Sequence, residues 1–390
     1  MTPNPAIGVL YHWLGGLASG SFYVPYRGVK GWAWETLWLA GGFFSWIIAP
    51  WVLAGFLTKD LFAVLHEAPA SSMFWAIFFG LLWGVGGLTF GLTMRYLGLS
   101  LGMAMVLGLC AAFGTLMPPI FSGIFMSQVA GTTSGRIILL GIFVCLLGIA
   151  VAGLAGIAKE HNMTTEEKQK VIKEFNLKKG TGVAILSGVM SACFAYGLAA
   201  GDPIKAITIQ HGTPVLWQGL PVLIVVLIGG FTTNFIWCVW LNLRNKTGGQ
   251  YFTSKPSHVG EGGTSIETAV DAPGREMAEH APHGIAVLPS KAEKRVPMLR
   301  NYLLCALAGV TWYFQFFFYS MGETQMGQYK FSSWTLHMAS IIIFSSLWGI
   351  GLKEWKGAGT RAGGLLTLAL LLLVGSTVIV GYGNYLGMQH

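Results

Sequence analysis

Residues 312–323 place one amide and a string of aromatic rings in a stretch apolar enough for a membrane helix. In a helix, steps of three, four and seven residues bring Trp312, Gln315, Phe316, Tyr319 and Glu323 onto one face. Rings on such a face can stack on the apolar side of a sugar while Gln315 exchanges hydrogen bonds with its hydroxyls. A second chemistry comes from His12 and His337, which also fall inside apolar stretches. Imidazole is the side chain whose proton affinity lies nearest neutral pH, as a proton-coupled carrier requires. Glu323, one turn beyond Tyr319, is another place for a proton. A lone membrane histidine also serves as a plain hydrogen-bond donor, so both readings stand beside each other.

These residues need long apolar elements to hold them, and the composition supplies them. Hydrophobic residues make up 53% of the 390 and charged residues 10%, the balance of a polytopic membrane protein. Windows of about 20 apolar residues predict ten spans, near 6–25, 35–57, 72–94, 98–121, 134–157, 180–200, 214–241, 299–321, 331–352 and 362–386. Of the 24 Lys and Arg, only Lys59, Arg136, Lys205 and Lys330 fall in the loops on one side. By the positive-inside rule the other side is cytoplasmic and both termini face outward. The net charge of +8 is therefore topology, and nucleic acid is not expected as a partner. Spans one and nine run the same way, which sets His12 and His337 at the same depth, roughly 9 Å below the outer boundary at 1.5 Å per residue. The His12 face continues through Gly16, Ser19 and Tyr23, and that of His337 carries Ser333 and Ser340. Glu35 and Arg95 lie at the cytoplasmic rim, where structural or gating ion pairs are expected. Asp202, beside Pro203, reads as a turn residue, and Trp32, Trp34, Trp38 and Trp51 read as an interfacial belt.

Two stretches divide the chain. Residues 158–179 carry a Thr164-x-x-Glu167 capping pattern and read as a cytoplasmic linker helix between a first five-helix half, 1–157, and a second, 180–390. Residues 243–297, rich in Gly, Ser, Pro and Ala, read as a disordered cytoplasmic loop. An odd number of spans per half would insert the two halves in opposite senses, and Trp83-x14-Gly98 in span three matches Trp312-x14-Gly327 in span eight. That makes Trp83 a candidate for the same cavity as Trp312. The five cysteines sit in apolar segments at no metal-ligand spacing, and His280 and His283 beside Glu279 have no scaffold around them. No metal site and no cofactor beyond a coupling proton is expected.

Six motifs carry a resemblance. Trp34-Glu35-Thr36, Met94-Arg95-Tyr96-Leu97-Gly98, residues 174–180 (Glu-Phe-Asn-Leu-Lys-Lys-Gly), Trp312-Tyr313 with residues 315–319, Trp334 with Leu336-His337-Met338, and Leu352-Lys353-Glu354-Trp355 closely resemble the bacterial L-rhamnose/proton symporter family. That family belongs to the drug/metabolite transporter superfamily. The resemblance covers about residues 7–385 and implies an all-α membrane protein with ten transmembrane helices in two inverted five-helix repeats. It implies a multi-pass importer of L-rhamnose, or a related deoxy-sugar, with a proton across the bacterial inner membrane. The sugar is then expected on Trp312, Gln315, Phe316, Tyr319, Trp83, Ser19 and Tyr23, and the proton on His337, His12 or Glu323. The competing classes are a carrier of another metabolite, a polytopic membrane enzyme and a receptor. Against an enzyme, the three Asp residues, Asp60, Asp202 and Asp271, are dispersed and form no catalytic set.

Overall fold

Backbone N–H and C=O groups in hydrocarbon must find partners within their own segment, which leaves the helix as the economical solution for apolar stretches of this length. The computed structural model describes residues 2–161, 176–254 and 295–389, and among these every regular element is helical. We number the long helices α1 (Pro5–Ser21), α2 (Trp34–Leu57), α3 (Ala70–Leu97), α4 (Leu99–Phe121), α5 (Thr133–His161), α6 (Leu177–Ala200), α7 (Leu220–Asn245), α8 (Met298–Glu323), α9 (Ser333–Gly351) and α10 (Gly359–Leu386). Among the described residues, nine helices are long and apolar enough to cross a membrane. The sequence predicts ten, and the difference is α1. It is 17 residues long, breaks at Phe22 and resumes as the short helix Tyr23–Tyr26.

Local chemistry sets the helix ends. Asn4 caps α1 by accepting from the Ala6 and Ile7 amides, with Pro5 in the first turn. Asn176 caps α6 through the Lys179 amide. Helices α5 and α6 therefore take over both ends of the expected linker, and its Thr164–Glu167 cap lies outside the described residues. Most of the 243–297 loop also lies outside them. Its described ends are structured: Gly248–Tyr251 forms a 3₁₀ turn, and the Val296 amide donates to the Ser254 carbonyl. Helix α2 widens into a π-turn at Phe44–Ile48, just before Pro50. Proline has no N–H for the carbonyl four residues back, and its ring crowds that carbonyl.

Packing relies on small residues. Helix α1 lies against α8 and α9, α6 lies against α3 and α4, and α5 pairs along its length with α10. A Cβ on Gly16 would overlap Ser340 of α9, and one on Gly15 would come within 3.0 Å of the Gln315 carbonyl of α8. On the other pair, the Ser187 hydroxyl of α6 donates to the Gly86 carbonyl of α3 at 2.9 Å. Without a hydrophobic drive between helices in lipid, such close approach is the main source of association.

At one end of the bundle, the helix Leu61–Glu67 is clasped to the helix Asp202–Gln210 by His211. Its Nε2 lies 3.0 Å from Glu67 and its Nδ1 3.4 Å from Asp60. Hydrogen bonds to Glu67 and then Asp60 hold the imidazole above its ordinary value. A raised histidine stabilises fully below its unfolded value, about 6.5, and loses that contribution as pH rises through the folded value. The melting-temperature difference between wild type and His211→Gln in detergent should be largest below about pH 6.5 and shrink on the alkaline side.

Candidate functional site

All ten long helices contribute to the lining of a cavity of about 370 Å³. Trp312, Gln315 and Phe316 line it from α8, Trp83 from α3, Ser19 from α1, Tyr23 from the turn beyond it, and His337 from α9. The amide is buried, and none of the described hydrogen bonds engages its side chain. Trp83 and Phe316 meet edge to face at 5.5 Å, and Trp83 and Trp312, the rings paired by sequence register, both line the cavity.

Further indoles come from α2 and pack against these rings. Trp34 and Trp38 stack at 5.4 Å with 16° between their planes, and Trp38 and Trp46 approach Trp312 at 4.9 and 5.7 Å. Trp34, Trp38 and Trp46 line the cavity, so Trp34 and Trp38 do not form an interfacial belt. The 34/38 spacing of one helical turn was the available signal for a shared face. Asn234 of α7 was also missed. It lines the cavity, accepts from Trp38 Nε1 at 3.1 Å and donates to the Gly230 carbonyl at 2.9 Å. An amide in the middle of an apolar span is itself a functional signal.

Three of the expected site residues, Tyr319, His12 and Glu323, stand behind this cavity. Tyr319 is 4% exposed and lies edge-on to His12, His337 and Trp334 at 5.3, 5.2 and 5.7 Å. His12 and His337 reach the same depth, with centroids 6.5 Å apart, but only His337 touches the cavity. Neither ring nitrogen of His12 has a hydrogen-bond partner among the described residues. The reason is the tight seat of α1: the His12 ring fills the space over Gly322, where a Cβ would come within 2.8 Å of Nε2. The Ser340 hydroxyl lies 2.8 Å from both the His12 and His337 carbonyls and ties α1 to α9 there.

Glu323 lies farther out, in a charge cluster. The buried Lys205 ammonium sits 2.8 Å from Glu323 and 3.1 Å from Asp202, and Lys330 reaches Asp202 at 2.6 Å. Asp202 is therefore an ion-pair centre rather than a mere turn residue. The cluster lies outside the cavity, beyond His337 and Tyr319, around a separate pocket of about 300 Å³. The cavity's other end is open, with Arg27, Lys159, Glu160 and Glu354 lining its mouth. Glu35 is 1% exposed and away from the cavity. It accepts from Thr247 at 2.6 Å and Asn245 at 3.1 Å, which fastens the start of α2 to the end of α7. Arg95 lies in the last turn of α3. Among the described residues, no group of His, Cys, Asp or Glu is arranged to hold a metal ion.

An all-helical, multi-pass membrane protein with a cavity closed at one end and walled by indoles, amides and one imidazole is built to hold a small polar solute. Residues 1–248 and 286–386 match the model of the L-rhamnose-proton symport protein (RhaT) family. The L-rhamnose-proton symporter of Cronobacter sakazakii is 34% identical over 378 residues, 97% of each chain. Those of Salmonella gallinarum and Salmonella newport are 33% and 34% identical over the same share. The chain belongs to this family of transporters.

The buried ion pair can be tested by substitution. Lys205→Ala strands Glu323 without its cation and should cost about 3 kcal/mol, the usual penalty for breaking a buried pair from one side. In unfolding measurements, the Lys205→Ala/Glu323→Ala double variant should lose less than the sum of the two singles.

Proposed function

We propose that this protein imports L-rhamnose together with a proton across the bacterial inner membrane, by alternating access of the cavity to the two sides. The carrying observation is the cavity itself, lined together by Trp34, Trp38, Trp46, Trp83 and Trp312, the Gln315 and Asn234 amides, and His337. A 6-deoxy sugar has a ring face and a methyl group for the indoles, and hydroxyls for the two amides. Related deoxy-sugars share these features and belong to the same substrate class. The proton resides on His337, with His12 and Glu323 behind it.

In this reading the chain has ten spans, both termini are periplasmic, and the apolar outer faces meet the lipid bilayer. The turn at Phe22 keeps helical dihedrals, so residues 5–26 run on for roughly 33 Å at 1.5 Å per residue, enough for a tenth span. The mouth with Arg27 and Lys159 then faces the cytoplasm, and the Lys205 cluster closes the periplasmic side. Two features support inverted five-helix repeats and a place in the drug/metabolite transporter superfamily. Pairing of α1 with α8 and α9 mirrors that of α6 with α3 and α4. Gly16-Leu17-Ala18-Ser19-Gly20 in α1 also matches Gly197-Leu198-Ala199-Ala200-Gly201 at the end of α6, each followed by a Pro-x-basic step, Pro25-Tyr26-Arg27 and Pro203-Ile204-Lys205.

Cells lacking their own carrier should accumulate labelled L-rhamnose when given this protein, and a protonophore should abolish the accumulation. Uptake indifferent to the protonophore would refute symport. Gln315→Leu should raise the half-saturating rhamnose concentration about tenfold or more, the loss of one or two hydrogen bonds to a buried ligand. His337→Ala should lose accumulation against a gradient while still exchanging labelled for unlabelled sugar.

A further inference from the structure

The motif Leu352-Lys353-Glu354-Trp355 has no part in the sugar site, yet it delivers a carboxylate into the same cavity. Helix α9 ends at Gly351, and the Glu354 amide turns back to the Gly349 carbonyl at 2.9 Å. Lys353 makes this turn at φ 61°, a left-handed conformation unfavourable for a side chain of its kind. Gly349 makes room below: a Cβ there would lie 3.3 Å from Glu354 Oε2 and 3.1 Å from Trp355 Nε1. Strain and a missing side chain thus hold Glu354 at the mouth, where it is 8% exposed.

The other charged groups lining that mouth are Arg27, beyond α1, and Lys159 and Glu160, at the end of α5. Glu160 is engaged by the Ser100 amide at 3.0 Å and hydroxyl at 2.7 Å. Lys159 lies over the Trp355 ring at 5.0 Å. No hydrogen bond or ion pair to the Glu354 carboxylate occurs among the described residues, which leaves it the unengaged acid of the cavity. Burial pushes its carboxyl up, against the pull of Lys159 and then Arg27.

We propose that Glu354 is the proton-release site of the transport cycle: protonated and neutral while the mouth stands open, and, once ionised, drawing Arg27 and Lys159 across the mouth. The proton that entered on His337 reaches Glu354 through the cavity both residues line and leaves to cytoplasmic water, and the carboxylate left behind is balanced by those two cations. Closure of the mouth around this ion pair resets the carrier toward the opposite side, where opening breaks the Lys205–Glu323 pair. The two ionic contacts would then alternate. The assignment rests on the symport reading above and adds to it the step that commits the empty carrier to return.

The test uses full-length protein in proteoliposomes with labelled L-rhamnose and an imposed inward proton gradient. One proton per sugar across about one pH unit sustains about tenfold accumulation, since 1.4 kcal/mol is a factor of ten. Glu354→Gln, a permanently neutral side chain, should still exchange labelled for unlabelled sugar but lose this accumulation and its pH dependence. Glu354→Asp, which can still ionise, should restore part of both. A Glu354→Gln variant that accumulates as wild type does overturns the assignment alone and leaves symport standing. Loss of exchange together with accumulation, unrestored by Asp, overturns it in favour of a structural role. A wild type that accumulates nothing removes symport and this inference with it.

Discussion

Close contact of α1 with α8 and α9 at Gly15 and Gly16 is the constraint on which the rest of the site depends. Side chains at these two positions would meet Ser340 and the Gln315 backbone, and the wedge they drove in would separate the three helices. With the glycines in place, His12, Tyr319 and His337 pack ring against ring, and that packed layer forms the floor of the cavity. The floor separates a largely apolar, tryptophan-walled chamber from the charge cluster around Lys205. Such a partition is what a carrier needs, because a chamber open at both ends would dissipate any gradient.

The chamber's chemistry follows from how few polar groups it contains. Trp38 is oriented by its bond to Asn234, so one amide serves both as a wall fitting and as a polar group in the cavity. Gln315 faces it from α8 without a fixed partner of its own among the described residues. Indoles tolerate the apolar face and methyl group of a deoxy-sugar, whereas a second carboxylate or ammonium at this depth would bring a desolvation penalty that no neighbour offsets. Charge is kept to the two ends, with Lys205, Asp202, Glu323 and Lys330 at one and Arg27, Lys159, Glu160 and Glu354 at the other.

Much of this was legible in the chain. Helical spacing brought Trp312, Gln315 and Phe316 together, depth arithmetic placed His12 level with His337, and the Trp-x14-Gly match brought in Trp83. What escaped depends on contacts between residues far apart in sequence. Trp38 and Asn234 are 196 positions apart, and Glu35 meets Thr247 across 212. Which of two neighbouring rings faces the chamber and which lies behind it is decided by a third helix, so Tyr319 and His12 read as cavity residues although they form its floor. Asp202 looked like a turn because proline follows it, and only the fold brings Lys330 to it. The family model matches residues 1–248 and 286–386, most of the stretch over which the sequence motifs resemble rhamnose symporters.

The π-turn in α2 has a consequence for how such a chamber can change. In an unbroken α-helix, eight residues carry a side chain about 80° beyond its starting face, which would point Trp46 away from Trp38. The wider turn at Phe44–Ile48 accommodates an extra residue and takes part of that rotation back. Trp46 thereby stays on the chamber side. The wall is thus encoded partly in helix winding: the same residues wound as regular α-helix would carry Trp46 off the Trp38 face without replacing a single side chain that lines the chamber. Pro50, which does not line the chamber, thereby acts on its shape through the winding of the turn before it.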